Sequence, residues 1–123
     1  MELNDLSYKI LGCVYKVHSE LGPGLLESTY EVCLMHELIK TGLKVERQKP
    51  LPVIYDNIKL DAGYRIDILV NDQVILELKV IDEIAPIHKA QVMTYLKLSG
   101  LKLGLLLNFN VIQMKSGIKR IIM

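Results

Sequence analysis

Two short runs of alternating residues, 64–70 and 74–80, separated by Asn71-Asp72-Gln73, constrain this chain more than any other stretch. Successive side chains of an extended strand point to opposite faces. Ile66, Ile68 and Val70 therefore share one face, with Arg65, Asp67 and Leu69 on the other. In the second run Val74, Leu76, Leu78 and Val80 line one face and leave Ile75, Glu77 and Lys79 opposite. Slipping the register by one residue sends every side chain to the wrong face, so the pairing can be argued. A two-residue loop, Asn71-Asp72, would set Ile66 across from Glu77 and mix apolar with charged positions. A three-residue loop through Gln73 pairs Val70 with Val74 and Ile68 with Leu76, and brings Asp67 opposite Glu77.

Two like charges facing each other across a ribbon destabilise it unless something compensates. Lys79 lies two residues beyond Glu77 and on the same strand face; a bound cation would serve as well. Acid, acid and amine in an Asp-x9-Glu-x-Lys spacing suggest metal-assisted hydrolysis. The same residues with Arg65 also fit a plainer reading, the solvated polar face of an antiparallel sheet.

With 123 residues, the chain is long enough for one domain with a real core and too short for two. Half its residues are hydrophobic and its mean hydropathy is +0.27, which excludes a disordered chain. There is no tryptophan and one phenylalanine, so the core must be aliphatic. A net charge of +1 gives no general basic bias toward nucleic acid, although a local cluster suffices. The N-terminus, Met1-Glu2-Leu3-Asn4-Asp5, is acidic and polar where an export signal is basic, and no apolar run is long enough for a bilayer. Cys13 and Cys33 lie in helical patterns outside Cys-x-x-Cys spacing. The expectation is a cytoplasmic protein with buried reduced thiols, no zinc site and no membrane partner.

Leu6, Ile10, Cys13, Val14, Val17 and Leu21 recur at helical spacing and predict a helix over 5–20, capped by Asp5. Leu21-Gly22-Pro23-Gly24 breaks it. A second helix is expected over 25–41, with Leu26, Tyr30, Cys33, Leu34 and Leu38 facing inward and Gly42 as its stop. The period then changes to two: a weak strand at 44–48, another at 51–55, a turn at Asp56-Asn57 and a strand at 58–62. Pro86 suits the first turn of a helix over 85–99 that ends at Gly100. Strands at 103–109 and 118–122 close the order, giving an α+β or three-layer α/β domain with a mixed sheet.

Gly24-Leu25-Leu26-Glu27-Ser28-Thr29-Tyr30, following Leu21-Gly22-Pro23, resembles the signature of the GxxExxY family. Asp67, then Glu77-Leu78-Lys79, then Gln91-Val92-Met93-Thr94-Tyr95 resemble the core and Gln-x-x-x-Tyr element of the PD-(D/E)xK nuclease superfamily. The motifs occur in the expected order over 6–109. The resemblance implies that residues 1–123 form one nuclease-like domain with a restriction-endonuclease-like core, a mixed central β-sheet flanked by α-helices. It implies that Asp67, Glu77 and the backbone carbonyl of Leu78 hold Mg²⁺ or Mn²⁺, with Glu27 as a further carboxylate. Gln91 and Tyr95 would contact the nucleic acid or brace the site, as would Tyr30 of the first signature. Lys79 would orient or deprotonate the attacking water, or stabilise charge in the transition state. The implied substrate is nucleic acid, DNA ahead of RNA, and the other function implied is a catalytically silent module that binds nucleic acid or a protein.

Each supporting residue also has an ordinary structural role open to it. Glu27 suits the rim of an apolar stripe near a helix N-terminus. Gln91 and Tyr95, four residues apart, could brace a core, and His18, His36 and His88 fit structural roles. Ile66 replaces the proline of the superfamily motif, and basic candidates are few: Lys44, Arg47, Lys49, Lys97, Lys102, Lys115, Lys119 and Arg120. The strand Ile118–Ile122 could pair with its own copy to make a homodimer.

Overall fold

The computed structural model describes all of residues 1–123. Helix α1 spans Leu3–Leu21 and α2 Glu27–Lys40. Strands β1 (Val45–Pro50), β2 (Val53–Tyr55), β3 (Ile58–Leu60), β4 (Arg65–Val70) and β5 (Val74–Lys79) follow. Helix α3 (Pro86–Ser99), β6 (Leu103–Asn108), a 3₁₀ turn at Met114–Gly117 and β7 (Ile118–Ile122) complete the chain. Five strands form one sheet in the order β1-β4-β5-β6-β7, in which only β5 and β6 are parallel. That parallel pair is the one joined through a helix, as a parallel connection requires. β2 and β3 form a separate ribbon, and β7 is a free sheet edge. This is the mixed sheet between helical layers that the resemblance implied.

The Asn71-Asp72-Gln73 loop has the expected length and register, with Val70 paired to Val74 and Ile68 to Leu76. Asn71 and Asp72 take φ of 52° and 55°, a left-handed conformation that short polar side chains tolerate. The loop is tied to the start of β1, where the Lys44 N–H donates to Asn71 Oδ1 at 2.9 Å.

Both faces of the sheet are buried. Ile68, Val70, Leu76 and Leu78 pack under α1 and α2 with Leu6, Ile10, Val14 and Leu34. Leu69, Ile75 and Leu106 pack on the other face beneath Val92, Tyr95 and Leu96 of α3. Gly104 lets α3 lie this close to β6: a Cβ there would stand 2.5 Å from Val92 Cγ1.

Three local expectations are corrected. Leu21 is 38% and Leu26 74% exposed, because they flank the turn between α1 and α2, and Cys33, though packed against the core, is only half-buried. Asp5 does not cap α1; the helix begins two residues earlier and Asp5 sits in its first turn. The weak first strand runs to Pro50 rather than stopping at Gln48.

Candidate active site

The β4–β5 ladder stops at Ile68 and Leu76, and the carboxyl side chains of the next residues take over from the backbone. The Leu78 N–H donates to Asp67 Oδ2 at 2.9 Å, and the Asp67 N–H donates to Glu77 Oε1 at 3.3 Å. The two acids thus occupy the fork where the strands part. Glu77 is 4% exposed and Asp67 half-buried, which overturns the reading of this face as solvated sheet surface.

Helix α2 brings two more carboxylates from one turn of helix, Glu27 and Glu31. Glu31 is 4% exposed, and its Oε1 accepts from Arg47 Nε at 2.8 Å and Gln48 Nε2 at 2.9 Å. The same Gln48 amide reaches Asp67 Oδ1 at 3.4 Å, so Gln48 bridges the helix acid and the strand acid. It does so with φ of +52°, a conformation costly for a residue with a Cβ and one that tends to persist at functional sites.

Tyr30, the last residue of the Gly-x-x-Glu-x-x-Tyr run, anchors the turn between α1 and α2. Its ring is fully buried and stacked on Phe109, with centroids 4.6 Å apart. Its hydroxyl donates to the Gly22 carbonyl at 2.5 Å and accepts the Leu25 N–H at 3.2 Å. These bonds hold the turn that precedes α2 and so fix where Glu27 begins the helix. Tyr30 is fully buried beneath the start of α2 and offers no surface to a ligand.

Lys79 ends β5 on the Glu77 side of the strand, half-buried and in no salt bridge. Tyr95 is 8% exposed and meets the exposed Tyr64 ring edge to face at 6.4 Å. Gln91, one turn earlier on α3, is half-buried. His88 has a structural role, its Nδ1 accepting the Ala85 N–H at 2.8 Å at the start of α3, and His18 Nε2 lies 2.7 Å from the Val111 carbonyl oxygen.

The site is short of positive charge. Burial, then the field of Asp67, pushes the Glu77 carboxyl up to about 8. Burial also raises Asp67, against the pull of the Leu78 N–H, with Glu31 adding to the rise. Glu27 is raised by partial desolvation and then by Asp67, though solvent reaches it on its outer side. Lys79 opposes all three rises without cancelling them.

A family model described as PD-(D/E)XK nuclease superfamily matches residues 4–121. The chain therefore belongs to the PD-(D/E)XK nuclease superfamily. Comparisons with curated proteins and with solved structures give no match.

Superfamily nucleases generally use divalent metals, and the donor set suits such an ion in kind. Mg²⁺ and Mn²⁺ favour hard oxygen ligands, and this cluster of carboxyls carries more negative charge than its cations offset. Asp67 and Glu77 supply two adjacent carboxyls. No three acidic, histidine or cysteine side chains close on one point, so Glu27 stands back from the pair.

Proposed function

We propose that the protein is a metal-dependent nuclease that hydrolyses phosphodiester bonds in DNA. The observation that carries this is the fork between β4 and β5, where a buried and a half-buried acid adjoin next to an amine free of any salt bridge. Burying like charges together is unfavourable without a counter-ion, so the arrangement serves a cation better than it serves the apoprotein. Asp67, Glu77 and the Leu78 carbonyl would hold Mg²⁺ or Mn²⁺, with Glu27 reached directly or through water. The bound ion would lower the pKa of a water and neutralise charge on the phosphate. Lys79, on the same strand face as Glu77, would orient that water or stabilise the developing charge. Gln48 would hold Asp67 in place through Glu31. The glycine-led turn and Tyr30 bonding that set Glu27 support placing the chain within the GxxExxY family.

Purified protein with Mg²⁺ or Mn²⁺ is expected to degrade DNA. Asp67→Ala or Lys79→Ala should abolish cleavage while circular dichroism stays that of the wild type. Cleavage unchanged in both variants would overturn the assignment.

A further inference from the structure

A groove of about 280 Å³ is lined by Val53, Tyr64, Gln91, Thr94, Tyr95 and Leu98, and the Tyr95 hydroxyl in its wall lies in the field of Glu77 and Asp67. Its walls are mainly apolar and two of its residues are aromatic. The Tyr64 ring is 46% exposed and stands at 65° to that of Tyr95, which leaves a Tyr64 surface open to stacking. The Gln91 side chain, on the half-buried face of α3, makes no hydrogen bond, so its amide keeps two donors and an acceptor for a ligand edge. Tyr64 precedes Asp67 by three residues, about 10 Å of extended chain. A base seated against it therefore keeps the phosphates of its own strand near the acids.

The charge around the site argues for stacking over a duplex grip. Duplex binding depends on rows of lysines and arginines neutralising phosphates. Here Lys44, Arg47 and Lys49 at β1 are each paired with a carboxylate, and Lys79 and, on α3, Lys97 stand as single unpaired cations rather than a row, against four carboxylates at the fork. Arg65, next to Tyr64, is in no salt bridge, its Nη1 donating to the Tyr64 carbonyl at 3.0 Å. The adjoining β2–β3 ribbon exposes Ile54, Tyr55 and Ile58. Aromatic and apolar surface with little positive charge suits unpaired bases, which every strand offers and a duplex hides.

We infer that this groove takes a nucleobase of an unpaired strand, stacked on Tyr64 with its edge bonded by Gln91, so that the nuclease acts on single-stranded nucleic acid. The inference rests on the proposed function for its chemistry and adds the substrate class.

The test uses oligonucleotides of one sequence as single-stranded DNA, single-stranded RNA and duplex DNA, each carrying 2-aminopurine, with Ca²⁺ present. One or both single strands should bind more tightly than the duplex, with quenched aminopurine fluorescence. Tyr64→Ala should weaken single-strand binding about tenfold and lift the quench. Its thermal midpoint should stay near that of the wild type, since the ring is half in solvent. Duplex binding as tight as that of the tighter single strand, or an unchanged affinity in Tyr64→Ala, would overturn the groove. Calorimetry with Mn²⁺ on the same preparation separates the two readings. Metal binding without Tyr64-dependent strand binding overturns the groove alone, and strand binding without metal binding overturns the nuclease while the groove stands.

Discussion

Glu77 carries its proton at a pH where an ordinary glutamate has lost it, and this has a consequence for stability. Its carboxyl lies at about 8 in the folded protein against a usual 4.5. Folding therefore takes up a proton between those values, and the metal-free protein holds this stabilisation fully below pH 4.5 and loses it as pH rises toward 8. The change should amount to about 2 to 4 kcal/mol, read as the denaturation midpoint at pH 5.5 against pH 8.5. Metal must displace the same proton, so Mn²⁺ affinity should tighten over the same range. Equal affinity at both pH values would contradict this. Gln48 supplies a second residue-scale test. Gln48→Ala removes the bridging amide and keeps the strained φ, whereas Gln48→Gly removes both the amide and the strain. Chemical denaturation should find the glycine variant more stable than the alanine variant by about 1 kcal/mol. Asp67 and Glu77 were legible in the sequence because strand alternation and loop length together leave one register. Glu31 and Gln48 were not, because their bond joins a helix to a strand seventeen residues on and no local period marks it.

Among the elements, α2 is set by a tyrosine and α3 by a glycine. Tyr30→Phe would leave the Gly22 carbonyl and Leu25 N–H without their partner and should cost about 1 to 3 kcal/mol in thermal denaturation. Gly104→Ala would drive a methyl group against Val92, whose branched side chain has little room to turn. It should destabilise by about 1 to 3 kcal/mol, and a neutral result would mean that α3 can lift from the sheet. The three helices and the β4–β5 hairpin follow from periodicity, capping glycines and Pro86. The exposure of Leu21 and Leu26 does not, since their spacing continues the apolar stripe while the Gly22–Leu26 turn carries the chain away from the core. Leu69 and Ile75 share a strand face with acids, so the pattern alone did not show that α3 covers that face as well.

At the scale of the molecule, a chain of net charge +1 gathers four carboxylates at one end of a mixed sheet. Such a cluster opposes folding in the metal-free protein and favours an ion in the folded one. Binding to the native state alone raises stability by about 2.7 kcal/mol at a hundredfold excess over the dissociation constant, so chelation should lower the thermal midpoint. Glu77→Gln removes the buried charge and the ligand together. The metal-free variant should therefore be more stable than wild type at pH 8 and show no gain with Mn²⁺.

Calorimetric titration of Mn²⁺ into wild type and Glu77→Gln at pH 8 tests the central claim most directly. Saturable binding to the wild type, absent in the variant, is the expected result. A wild type that takes up no Mn²⁺ at millimolar concentration, or a variant that binds it equally well, would contradict a metal site in the fork between β4 and β5.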